Sequence, residues 1–140
     1  MTLFVLAVQS LEVQSEFAQR YQEGMKKDEY WIPALEDSLN LTAELSLVAA
    51  FIYNLKYGDG KIPELDPNLD YGANFAKMLG VKDQRGYADL ARLYFILHSD
   101  HESGNVSAHA THLVGSSLAD IYYAFSAGMC GLAGPLHGLA

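Results

Sequence analysis

Residues 98–112 read HSDHESGNVSAHATH, so four of the five histidines fall in fifteen positions as two HxxH pairs, and the fifth, His137, follows in GPLHG. Imidazole titrates near neutrality, ligates metals, and donates or accepts a hydrogen bond at each ring nitrogen. Three chemistries are open to the tract. His98 with His101, and His109 with His112, stand three apart, which puts each pair on one helix face and could serve zinc. No cysteine pair accompanies them, Asp100 and Glu102 compete as ligands, and spacing alone is weak, so no bound metal is expected. The plainer reading makes His98, His109 and His112 capping or core histidines near helix ends, with His109 and His112 in first turns where the helix dipole disfavours imidazolium. The third chemistry is acid/base work from a turn between helices.

The elements that would position these groups read as helices. Apolar residues recur at three- and four-residue steps, and no period-two run is flanked by turn signals, so the fold class is all-α. Residues 2–23 predict a first helix with Leu6, Val13, Phe17 and Tyr21 on its core face and Gly24 as C-terminal cap. Pro33 starts a second stretch that runs to GDG, with Leu35, Leu39, Leu41, Leu45, Val48, Ile52 and Leu55 as a buried stripe; NLTAELS leaves a break in its middle open. Asp70 caps a short helix through Met78 that Gly80 ends, and residues 84–98 repeat the pattern with Leu90, Leu93, Tyr94 and Leu97. HSDHESGN is a turn, Asn105 or Ser107 caps the helix SAHATHLVGSSL, and a last helix over about 119–132 holds Ala124, Ser126, Ala127, Gly128 and Gly131, small enough for a second backbone to approach closely.

Composition narrows the class. Half of the 140 residues are hydrophobic, enough for one core, and 17 acidic against 9 basic residues leave a net charge of −8. The basic residues are scattered, so no phosphate-tracking surface is expected and nucleic acid is not a partner. Cys130 is single and forms no disulfide within the chain. MTLFVLAVQSL lacks a basic n-region and continues as an amphipathic helix, and IYYAFSAGMCGLAGPL is shorter than the ~20 residues a spanning helix needs, so neither a signal peptide nor a membrane segment is expected.

HSDHESGNVSAHATHLVGSSLAD followed by GMCGLAGPLHGLA resembles the histidine tract of citrate synthases of the mitochondrial type. LEVQSEFAQRYQEG, YWIPALEDSLNL, LDYGANFAKMLG and LARLYFILHSDHE extend the likeness over essentially the whole chain. The resemblance implies part of the multi-helical large domain of that fold. Residues 1–140 would be a single partial domain truncated at both ends, with the small domain absent. It also implies condensation of acetyl-CoA with oxaloacetate, no cofactor beyond acetyl-CoA as substrate, a homodimer, and the mitochondrial matrix, with any targeting segment lying upstream of this chain.

By the same resemblance His137 hydrogen-bonds the thioester carbonyl and stabilises the enol, His101 and Asn105 contact oxaloacetate, and Ser107 supports His137. A neutral imidazole N–H set beside a developing oxyanion is a preorganised donor. The chain departs from the family at Ser103, where glycine is usual, at Ile121, where proline is usual, and at Cys130, where asparagine is usual; none of these removes a catalytic group. No arginine follows Arg92. The family's aspartate, second histidine and carboxylate-clamping arginines are therefore expected outside this stretch, and the isolated chain is expected to be inactive.

Two rivals stand beside this reading: a non-catalytic helical remnant or dimerisation module, and a histidine-ligated metal-binding module. Metal analysis of purified protein is expected to find no tightly held zinc; one ion per chain would favour the metal module.

Overall fold

The computed structural model describes residues 1–99 and 104–138, and among them there are helices and turns but no strand. Seven α-helices follow in order: α1 Thr2–Ser10, α2 Glu16–Gln22, α3 Trp31–Tyr57, α4 Tyr71–Leu79, α5 Gln84–Leu97, α6 Val106–Gly115 and α7 Ile121–Leu132. They form two compact units, Met1–Thr42 with Glu102–Ala140, and Ala43–His101. The all-α class is as expected.

In the first unit α7 is the central element. It is apolar nearly all round, and Tyr122, Ala124, Ser126 and Gly128 are buried, as a helix enclosed by neighbours requires. α6 and α1 both pack on it, and Val8 of α1 is fully buried. The stretch expected as one helix over 2–23 is divided. α1 ends at Ser10, a 3-10 turn covers Leu11–Gln14, and Ser15 turns extended before α2.

The cause of the division is Asp37, a fully buried carboxylate on α3. It accepts hydrogen bonds from Glu16 N–H at 2.8 Å, Phe17 N–H at 3.1 Å and the Ser15 hydroxyl at 2.8 Å, while Ser15 Oγ accepts from Ala18 N–H at 3.0 Å. The first three N–H groups of α2 have no partner within their own helix, and together the two side chains satisfy them, with the negative charge at the positive end of the dipole. A continuous helix through Ser15 would leave Asp37 buried without donors. Phe17 then turns inward to meet Tyr21 and Tyr30, with ring centroids 6.1 and 5.8 Å away. Val13, expected on the core face, is 88 % exposed, and Leu6 and Tyr21 are also exposed.

α3 runs unbroken through NLTAELS. Its buried positions are Pro33, Asp37, Leu41, Ser46 and Ala50, whereas of the expected leucine stripe only Leu41 is buried; Leu35, Leu39 and Leu55 are exposed. Residues four apart from Pro33 to Leu41 share one helix face, and that face, not the leucine-rich one, meets α2. The span Lys27–Tyr57 is long and apolar enough to cross a membrane by length and composition. Within it Asp37 is buried and bonded by backbone N–H groups of the same chain, so the face that carries it packs on protein.

In the second unit α4 packs on α5. Asp70 caps α4 by accepting Ala73 N–H at 2.9 Å, and Gly80 ends it in the left-handed region at φ 65°, as expected. The same carboxylate pairs with Arg92, whose Nε and Nη2 both lie at 2.9 Å. The Ala73 N–H, and then the Arg92 guanidinium, hold the Asp70 carboxyl below its ordinary value. Buried Asn74 ties down the preceding loop: its Nδ2 donates to Asp66 O and Leu69 O at 2.9 Å each, and its Oδ1 accepts Asp66 N–H at 2.9 Å. Asp83 caps α5 through Gly86 N–H. The face expected to be buried on α5 is open, with Leu90, Leu93, Tyr94 and Leu97 exposed, while the small residues Ala88 and Ala91 make the contact.

Asp37→Ala strands two helix-end N–H groups in a buried position and is expected to cost about 3 kcal/mol, whereas Asp37→Asn, which keeps an acceptor oxygen, costs less. Urea unfolding of both variants, compared at unchanged m-value, measures the difference.

Candidate functional site

The site is built where the start of α6 meets the turn after α7. Asn105 is the residue before α6, extended at φ −95° and ψ 166°, and its Oδ1 accepts Ala108 N–H at 2.9 Å. Of the two caps considered from the sequence, Asn105 is therefore the one used. The Ser107 hydroxyl donates to the same Oδ1 at 2.7 Å. Thr111, one turn on, donates its hydroxyl to Ser107 O at 2.9 Å, so the serine's backbone carbonyl is engaged as well.

His137 reaches this group from thirty residues away. Its Nε2 lies 2.9 Å from Ser107 Oγ. The ring is carried by the tight turn of GPLHG: His137 N–H donates to Gly134 O at 3.0 Å, and Gly138 N–H returns to Leu132 O at 3.0 Å. A Cβ on Gly138 would run into that same Leu132 oxygen, so the turn requires glycine there. Pro135 and Leu136 stand exposed at its tip, and the imidazole is half-buried behind them.

The two halves meet because α6 and α7 approach closely. A Cβ on Gly128 would collide with Thr111 Oγ1 and lie 3.0 Å from Ser107 O, and one on Gly131 would lie 3.4 Å from Ser107 Cα. The small residues expected to allow close packing do so against the very turn of α6 that carries Ser107. The approach places Ser107 within reach of His137.

Of the residues singled out from the sequence, Asn105, Ser107 and His137 thus form one hydrogen-bonded chain. His101 lies outside the described residues, as do Asp100, Glu102 and Ser103. His98 caps α5: its Nδ1 is 2.9 Å from Tyr94 O and its ring stacks on Tyr94 at 4.0 Å. His109 and His112 are exposed on α6 rather than core residues, and His112 falls in the last turn of the ten-residue helix rather than its first, because α6 stops at Gly115. Among the described residues no three His, Cys, Asp or Glu side chains gather as a metal site. Thr111 was not singled out from the sequence, although its place four residues after Ser107 is the signal that would have found it.

Comparison with known proteins bears on the whole chain. The family described as "Citrate synthase, C-terminal domain" matches residues 1–140. The mitochondrial citrate synthase 5 of Arabidopsis thaliana is 55% identical over 141 residues, covering 100% of this chain and 30% of the relative. The mitochondrial citrate synthases of Solanum tuberosum and Saccharomyces cerevisiae are 54% and 52% identical over 140 residues, again over 100% of this chain. The chain spans about three-tenths of the length of these relatives.

Replacing a helical glycine by alanine ordinarily gains about 1 kcal/mol from helix propensity. Gly128→Ala is expected to reverse that sign and destabilise by about 1–3 kcal/mol, since its new methyl must displace Thr111 and the Ser107 carbonyl. Thermal melting of Gly128→Ala beside an alanine placed at an exposed position of α6 reads the difference.

Proposed function

The chain belongs to the citrate synthase family, and from that membership we propose that it supplies one part of the active site of an enzyme that condenses acetyl-CoA with oxaloacetate to give citrate and CoA. The observation that supports this assignment is the bond between His137 Nε2 and Ser107 Oγ, made by a histidine held on a turn that only glycine at 138 permits. A ring fixed at one nitrogen presents the other in a set direction, and no described residue bonds Nδ1. That fixes the direction from which the ring can meet a carbonyl oxygen.

In this reading His137 donates from Nδ1 to the thioester carbonyl oxygen as the methyl carbon loses its proton, stabilising the enol. The new carbon–carbon bond forms between that carbon and the ketone carbon of oxaloacetate, whose oxygen takes a proton from an acid assigned to segments outside these residues to become the hydroxyl, and water then cleaves the citryl thioester to release CoA. Asn105 and His101 contact oxaloacetate, and Ser107 is a positioning residue for His137. The base that takes the methyl proton, and the arginines that clamp the carboxylates, are assigned to segments outside these 140 residues. Arg92 is engaged by Asp70 and Asp89 within its own unit and does not serve that purpose. No cofactor is required beyond acetyl-CoA as substrate. The names of the relatives support a mitochondrial location; the matrix as compartment and a homodimer as the working assembly are proposed.

In the full-length enzyme, His137→Gln is expected to lower kcat roughly 10²–10³-fold, the loss typical of removing one oxyanion donor, with little change in KM for oxaloacetate. CoA release followed with a thiol reagent measures both constants. Unchanged turnover in His137→Gln would sink the assignment, and a wild-type full-length protein without activity would support the non-catalytic helical module instead.

A further inference from the structure

The hydrogen bonds around Ser107 determine which way its proton points. A serine hydroxyl has one proton to donate and lone pairs to accept with. The oxygen of the Asn105 amide is identified independently of any choice of flip, because the group accepting Ala108 N–H at 2.9 Å cannot be an NH2. The Ser107 hydroxyl lies 2.7 Å from that oxygen, which can only accept. The single proton is therefore given to Asn105. Toward His137, 2.9 Å away, Ser107 Oγ is left only lone pairs, so His137 Nε2 must be the donor. A neutral His137 then carries its proton on Nε2, and its Nδ1 offers a lone pair.

This is the opposite polarity from the one the proposed reaction needs, which calls for an N–H at Nδ1 facing the thioester oxygen. We propose that Ser107 is a tautomer switch through which Asn105 controls His137: while Asn105 holds the serine proton, the imidazole is an acceptor at Nδ1, and when Asn105 turns to a bound carboxylate the serine proton rotates onto Nε2 and the ring becomes an Nδ1–H donor. The inference rests on the reading above for the identity of the substrate, but the resting tautomer follows from the geometry alone. The exchange balances without change of charge: the Nε2 proton leaves to solvent, an Nδ1 proton arrives from it, and the serine O–H only rotates. Thr111 contributes by bonding Ser107 O one turn back within α6, so the serine's backbone stays fixed while the hydroxyl swings. Asn105 is thus a positioning residue as well as a contact, acting on the imidazole through an atom it shares with it.

The test is ¹⁵N NMR of full-length protein labelled in histidine, at a pH above the imidazole range, with the His137 signal assigned by its loss in His137→Gln. Wild type is expected as the Nε2–H form. Asn105→Asp, which keeps both the cap and an acceptor oxygen, is expected to stay in that form. Asn105→Gly, a substitution that helix starts tolerate well, is expected to move His137 mainly to Nδ1–H, and Ser107→Ala to give the mixture of a free imidazole. Adding oxaloacetate to wild type is expected to shift the ring to Nδ1–H. A wild-type ring in the Nδ1–H form overturns the proposal, as does an Asn105→Gly or Ser107→Ala ring that stays wholly Nε2–H. If Asn105→Gly does not fold, the wild-type and Ser107→Ala spectra still decide. Failure of oxaloacetate to bind, with the resting tautomer as stated, overturns the functional reading and the ligand-driven step but not the Asn105 hold on Ser107.

Discussion

The site depends on one close approach between backbones. Gly128 and Gly131 lie one turn apart on α7, and the absence of side chains there lets the first turn of α6 rest directly on the helix. Any larger pair would hold α6 away by roughly the thickness of a methyl group, and hydrogen bonds weaken steeply over such a distance. The contact serves as a spacer of zero length: it brings Ser107, which α6 presents, to His137, which the turn after α7 presents. Asn105 follows because it caps that same first turn.

Buried polar groups do most of the specifying elsewhere in the fold. Asp37 dictates where α2 begins, since its carboxylate has to find donors and the free N–H groups of a helix start are the ones at hand. Asn74 does the same for the loop before α4. Each satisfies one helix start or loop from a residue distant in sequence or one turn away. The cost of leaving such a group unpaired, about 1–3 kcal/mol apiece, is comparable to that of a lost core methylene or two, so a few of these bonds decide among packings that apolar contacts alone would leave similar.

Apolar residues were the less reliable guide. The leucines of α3 and α5 have good helical spacing, yet Leu35, Leu39, Leu90 and Leu93 are exposed while Leu41, Ala88 and Ala91 make the contacts. Periodicity reports that a helix has an apolar face but not which partner that face meets, and small residues that permit close contact carry little weight in a hydrophobic count. Helix ends marked by local chemistry were legible: Asp70, Asn105, Gly24 and Gly80 act in place, because a cap bonds or bends within its own turn. Leu118, at φ 65° without being glycine, carries no such mark.

The sequence by itself determined the all-helical class, the caps, and the residue types of the site, including the glycine that GPLHG needs, because these depend on interactions spanning four residues or fewer or on a motif long enough to be specific. Only the tertiary structure decided that Ser15 interrupts the first helix, that Pro33–Asp37–Leu41 is the inward face of α3, and that the one proton of Ser107 is committed to Asn105 rather than to His137. The first two depend on Asp37 meeting the start of α2 from twenty to twenty-two positions away; the bond from Ser107 to Asn105 is local, but it acquires its consequence only where the fold brings His137 to the same hydroxyl from thirty positions away.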